Sequence, residues 1–118
     1  MNLLFVYGTL MKGEVNHHYL RDCEYMGEAI IDDCELLELD GYPGIISSFN
    51  VQVRGEVYKV DDNSLKEIHE LEGDEYLYTK GIVHLNDQDI DIYYYEYIKE
   101  ENRQYVKSKT YNKRWISR

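Results

Sequence analysis

The side chains able to do chemistry are few, and most of their familiar arrangements are missing. The four histidines fall at positions 17, 18, 69 and 84, and the two cysteines at 23 and 34. His17 and His18 are adjacent, so they cannot share a helical face, and no Asp or Glu cluster completes a metal site with them. Cys23 and Cys34 belong to no CxxC or zinc-ligand pattern and are expected as free thiols of a reducing compartment. HExxH, Ser/His/Asp and Cys/His signatures are absent, and "GTLMKG" lacks the closing Lys-Ser/Thr of a phosphate loop. No metal or cofactor is expected. What is left is carboxylate chemistry.

One carboxylate stands in a conflicted place. In "DDNSLKEIHELEG", Leu65, Ile68 and Glu72 are spaced i, i+3, i+7 and share one helical face, with Leu71 alongside. Glu72 thus continues an apolar stripe at the last turn, next to the negative end of the helix dipole and partly out of water. Both effects disfavour its ionised form, and an acid so placed is a candidate for proton transfer. The bland alternative is a frayed helix end from which Glu72 swings into solvent. Glu75, in the loop "GDEY", is the rival acid, expected to be exposed. A second feature is "YGTL", following the apolar run Leu3–Val6. A strand ending on Tyr-Gly-Thr presents backbone N–H groups able to hold an anion, or is simply a turn.

These groups need elements to position them. Leu3 to Val6 read as a short buried strand, and Val15 to Arg21 as a short helix. Glu24 to Leu39 read as strand, broken near Asp32-Asp33, and "DGYPGI" as a turn. "VQVRGEVYKV" alternates, with Val51, Val53 and Val57 on one face and Gln52, Arg54 and Glu56 on the other. Gly55 there suggests a bulge or a close backbone approach. The helix is capped by Asp or by Ser64, which has capping-box spacing to Glu67, and it stops at Gly73. Strands follow around Tyr76–Leu85 and Asp89–Ile98, then a short helical piece and "YNKRW". The pattern is α+β in one domain, residues 1–118, and a small barrel would remove exposed sheet edges.

Composition narrows the partners. The chain has 118 residues and a formal charge of −10, which repels phosphate backbones, so nucleic acid is not an expected partner. The basic residues from Arg103 to Arg118 read as a solvated tail. No apolar run approaches the roughly 18 residues of a membrane span, and no signal peptide is recognised, so a cytoplasmic protein is expected. Thirteen tyrosines against two Phe and one Trp suggest a core, or a pocket, with polar handles.

Taken in order, "FVYGTLMKGEVNHH", "YPGI", "VRGEVYKVDDNSLKEIHELEGDEYLYTKGIV" and "YNKRW" resemble the gamma-glutamylcyclotransferase-like family, which includes AIG2-like proteins and gamma-glutamylamine cyclotransferases. The resemblance implies a small mixed β-barrel flanked by short helices. It implies that Tyr7, Gly8, Thr9 and Leu10 form the substrate loop, that Glu72 is the catalytic acid/base, and that Tyr78 is a pocket tyrosine. Some bacterial relatives carry the acid in a "GGEY" stretch, which falls on Glu75 here. The L-E-G register, with Tyr78 six residues after Glu72, favours Glu72. The implied reaction closes 5-oxoproline from a γ-glutamyl amine or amino acid, without a cofactor. The alternative is a non-catalytic member that binds a glutamyl-like ligand or a protein. Tyr42 and Tyr95 are expected near the leaving amine, and the assembly is expected to be a monomer or weak homodimer.

Overall fold

Leu4, Phe5 and Val6 are all buried, although successive residues of a strand point to opposite sides. The first strand is therefore covered on both faces, which is why its sequence is continuously apolar rather than alternating. The computed structural model describes residues 2–38, 43–98 and 106–107. Strand β1 (Asn2–Val6) is followed by a 3-10 turn at His17–Leu20, then by long strands β2 (Glu24–Glu38) and β3 (Pro43–Val60). Helix α1 (Asp62–Glu72), a second 3-10 turn (Gly73–Glu75), β4 (Tyr76–Leu85), β5 (Gln88–Tyr97) and a two-residue β6 (Val106–Lys107) complete it.

The α+β class and the small mixed sheet are as expected. The sheet order is β1-β3-β5-β4-β2-β6, with further pairings β1–β5 and β2–β3. The pairings trace a ring from β1 through β3, β2, β4 and β5 back to β1. Two of its seams are short: β2 meets β4 only at Ile30↔His84 and Ile31↔Val83, and β5 meets β1, in parallel, at Leu4↔Tyr93. It is a closed circuit of pairings rather than an evenly laddered barrel. Phe5, Ile31, Val53, Val57, Val83 and Ile92 fill one side of the curled sheet. On the other side Leu4, Val6, Tyr58 and Val60 meet Leu65 and Ile68 of α1, with Leu10, Met11 and Leu20 from the first connection.

Several local expectations change against this frame. Gly55 marks close approach: an added Cβ would lie 2.3 Å from the Val6 carbonyl oxygen and 2.7 Å from the Phe5 ring. The bulges fall instead at Tyr25/Gly27 and at Asp32/Cys34, so β2 continues through the expected break, with Asp33 at φ 57. Asp61 caps α1, its carboxylate accepting the Ser64 N–H at 2.6 Å, which puts Ser64 inside the helix and not at its cap. The short helix expected over Val15–Arg21 is the 3-10 turn alone. The late helical piece and "YNKRW" lie outside the described residues, as does the stretch 103–118 apart from β6.

Glu56 is the largest departure. Alternation places it on the face opposite the valines, beside Gln52 and Arg54, yet it is 2% exposed, because both faces of this part of β3 are covered. Its Oε1 accepts the Lys12 backbone N–H and the Tyr58 hydroxyl, each at 3.0 Å. It ties the connection after β1 down onto the sheet. Glu56→Ala leaves two donors without their acceptor and should lower stability by about 1–3 kcal/mol. Glu56→Gln, which keeps the acceptor oxygen, should recover much of that loss. Urea unfolding of the two variants against the parent chain measures both.

Candidate active site

The cleft lies where β1 runs out. A cavity of about 440 Å³ is lined by Tyr7, Gly8, Thr9 and Leu10 of the loop after β1, by Glu72, Glu75 and Tyr76 from the end of α1 onward, and by Pro43 and Tyr95. Four chain segments therefore build it, and each arrives by a different physical route.

The loop after β1 is a chain of tight turns. The Met11 N–H donates to the Gly8 carbonyl at 3.1 Å and the Asn16 N–H to the Thr9 carbonyl at 2.8 Å. The Asn16 side-chain amide adds a bond to Thr9 Oγ1 at 3.0 Å, and His17 Nδ1 lies 2.9 Å from the Leu10 carbonyl. These bonds consume carbonyl groups. The N–H groups of Gly8, Thr9 and Leu10 donate to no acceptor among the described residues. Successive unpaired N–H groups at a turn are a natural anion cradle. Gly8 owes its place to proximity and not to positive φ: a Cβ there would lie 2.4 Å from Pro43 Cγ.

Across the cleft, Leu65 and Ile68 anchor α1 in the core, and the same stripe brings Glu72 to the cavity wall. Gly73, at φ 72, ends the helix with its N–H on the His69 carbonyl. The Glu72 carboxyl is half-buried, and desolvation pushes its pKa up to about 7. It does not swing away into solvent. Its charge is felt by Tyr7 and Tyr95, whose hydroxyls are held above the usual phenol range first by burial, and for Tyr7 next by Tyr76.

Tyrosines brace the wall. The Tyr7 hydroxyl donates to the Tyr95 carbonyl at 2.6 Å, and the Tyr76 hydroxyl to the Pro43 carbonyl at 2.8 Å. Glu75 is not the exposed loop acid expected: it lies half-buried on the 3-10 turn, lines the same cleft, and its carbonyl accepts the Ile98 N–H at 3.0 Å. Tyr78 stands one layer back. Its ring stacks on Tyr93 with centroids 4.5 Å apart and meets His69 edge-on at 4.7 Å, and its buried hydroxyl has no hydrogen-bond partner among the described residues. Tyr76, two residues earlier on the same face of β4, takes the wall position expected of Tyr78. Tyr95 does face the cleft, whereas Tyr42 lies outside the described residues. Tyr76, Pro43 and Asn16 were not foreseen. Their signals, a tyrosine opening the strand after the helix and a proline opening β3, were present but not distinctive. Among the described residues no three His, Cys, Asp or Glu side chains gather at metal-binding spacing, and no helix is long and apolar enough to cross a membrane.

The model of the family described as "Gamma-glutamyl cyclotransferase, AIG2-like" matches residues 4–115. The chain belongs to this family. The gamma-glutamylcyclotransferase family protein YtfP of Escherichia coli is 37% identical over 68 residues, 58% of this chain and 59% of that protein. The gamma-L-glutamyl-butirosin B gamma-glutamyl cyclotransferase of Niallia circulans is 41% identical over 70 residues, 58% of this chain and 44% of that protein. The aligned part spans about three-fifths or less of these relatives. Among solved structures, an AIG2-like protein from Mus musculus superposes with a TM-score of 0.81 at 22% identity, covering 94% of this chain and 88% of the other, a likeness of fold. An uncharacterized protein from Pyrococcus horikoshii gives 0.75 at 25% identity, covering 96% and 92%.

The burial of Glu72 has a consequence for stability. A carboxyl whose pKa is raised in the folded state favours folding while protonated, and that contribution is lost as pH rises from about 4.5 through about 7. Above pH 7 ionisation then costs the folded chain about 3 kcal/mol. Glu72→Gln should therefore be more stable than the parent by about that much at pH 8, with the difference vanishing near pH 4. Unfolding curves at pH 4, 6 and 8 test the sign directly.

Proposed function

We propose that the chain is a cyclotransferase that converts a γ-glutamyl amine or γ-glutamyl amino acid to 5-oxoproline and the free amine. One observation carries this: a carboxyl with a pKa near 7 lines the same cleft as three consecutive residues whose backbone N–H groups donate to no acceptor among the described residues. A free glutamyl end offers the matching pair, an α-carboxylate for the N–H cradle and an α-amine for the base. Family membership and the butirosin-processing relative support the same class of reaction.

In the reaction the substrate's α-amine attacks its own γ-carbonyl. A new C–N bond closes the five-membered ring, and the amide C–N bond then breaks. Glu72, ionised, takes a proton from the attacking nitrogen and returns it to the leaving nitrogen. A base with a pKa close to the working pH is suited to both steps, and such transfer is typically worth roughly 10²- to 10⁴-fold. The cradle holds the flexible glutamyl chain folded, so the amine meets the carbonyl without an entropic search. An N–H of the loop turned toward the γ-carbonyl stabilises the developing oxyanion. The acidic surface and the second carboxylate, Glu75, disfavour an anionic leaving group, so amines and neutral amino acids rank above glutathione as substrates.

Release of 5-oxoproline across a panel of γ-glutamyl compounds tests the assignment. Glu72→Gln should lower turnover by about 10²-fold or more while leaving 5-oxoproline affinity nearly intact. An active Glu72→Gln beside a dead Glu75→Gln would move the base to Glu75. In the parent enzyme kcat/KM should rise along a limb near pH 7, as Glu72 ionises.

Gly8→Ala tests the cradle. Its Cβ has to displace either the loop or Pro43, and a misplacement of about 1 Å costs on the order of 10²-fold in kcat/KM. Isothermal titration with 5-oxoproline should show the accompanying loss of affinity. Unchanged affinity would remove the loop from the site.

A further inference from the structure

Cyclisation has a proton count that one carboxylate does not satisfy alone. With an α-amine pKa near 8, the substrate enters largely as the ammonium ion at neutral pH. That nitrogen carries three protons, and the lactam nitrogen of 5-oxoproline keeps one. Two must leave it, and Glu72 holds only one at a time. The first has to go before attack, while Glu72 is still needed in its ionised form for the second.

A second proton path is built into the wall. His69 lies on α1 one turn before Glu72, outside the cleft and exposed to solvent. Its Nδ1 is 2.8 Å from the Tyr95 hydroxyl oxygen. The imidazole meets the Tyr95 and Tyr78 rings edge-on, at 5.6 and 4.7 Å between centroids. Tyr95 is itself cleft wall, and its carbonyl is held by the Tyr7 hydroxyl. A residue of the cavity wall, held at its backbone carbonyl, thus sets its hydroxyl between the field of Glu72 and a solvated imidazole. The titratable groups packed on His69 are Tyr78 from β4 and Tyr95 from β5. Along its own helix, Lys66 and Glu72 stand three residues to either side.

We propose that Tyr95 and His69 form a proton relay from cleft to solvent, with His69 accepting the first proton of the cyclotransferase reaction proposed above. The substrate ammonium gives a proton to the Tyr95 oxygen as Tyr95 passes its own to His69 Nδ1. The substrate is left as the free amine, Tyr95 as the neutral phenol, and His69 as imidazolium. The exposed Nε2–H then yields the proton to water. Glu72 stays ionised for the second proton, which it delivers to the leaving nitrogen, and the further proton that makes the product amine an ammonium comes from solvent. Imidazole carries two ring nitrogens, so one can accept a proton while the other releases one. His69 acts through Tyr95, so it is a positioning and relay residue, not one in contact with substrate.

His69→Gln keeps an oxygen acceptor for the Tyr95 hydroxyl but takes up no proton, and the exposed position tolerates the change. At pH 6.5 its kcat/KM should fall by roughly 10- to 30-fold, capped by the few per cent of substrate that already arrives as free amine, with 5-oxoproline affinity unchanged and partial recovery on adding imidazole. At pH 9, where the substrate arrives as the free amine, the deficit should shrink to less than about twofold. Tyr95→Phe should show the same pH-dependent deficit. A His69→Gln profile parallel to the parent at every pH, or no loss at all, would overturn the relay while parent turnover and an inactive Glu72→Gln leave the cyclotransferase standing. No 5-oxoproline from the parent chain with any panel compound would overturn both.

Discussion

One carboxylate oxygen on β3 fixes the geometry of the cleft. Glu56 Oε1 takes the Lys12 N–H and the Tyr58 hydroxyl in a fully covered position. Burying a carboxylate is costly unless its oxygens are hydrogen-bonded, and the donors it receives here come from the loop and from its own strand. The loop after β1 therefore has little freedom to rise off the sheet. With its base held, the internal turns from Gly8 to Asn16 use up carbonyls and leave the N–H groups of the cavity-lining Gly8, Thr9 and Leu10 without an acceptor among the described residues. The cradle is a by-product of where the loop is tied.

The opposite wall works by an opposed constraint. Leu65 and Ile68 give α1 its grip on the core, and the same periodicity delivers Glu72 to a place where a charge is poorly solvated. A helix that satisfied its own stability would carry an apolar or fully exposed residue there. Stability and proton affinity are coupled through the one side chain.

Much of this was legible in the residues themselves. The helix, its end at Gly73, the intrusion of Glu72 into the apolar stripe, and the break in β1 at Tyr7-Gly8 each follow from local spacing. What failed did so for definable reasons. Alternation along β3 separates Glu56 from the valines, but it does not say that loop and helix cover the second face and bury Glu56 there. Tyr76 and Tyr78 share a side of β4, and periodicity does not say how far along a strand the cavity lies. The turn at Gly8 was visible, but its reason, the approach of Pro43 from a segment 35 residues away, is a tertiary fact. Nothing in local spacing marks His69, because its partner, Tyr95, lies on a different element.

The pairing of β1 also orders the assembly of the molecule in time. β1 lies against β3, more than fifty residues later, and touches β5 at Leu4↔Tyr93, almost ninety residues away. Pairings of such separation carry a large loop-closure entropy and form late, whereas the β4–β5 hairpin and α1 are local. Strand β1, synthesised before both of the strands it pairs with, is thus among the last to be locked. Since β1 delivers the N–H cradle and β5 delivers Tyr95, a partly folded chain holds Glu72 without a site around it. The cleft exists as a cleft only once the ring has closed.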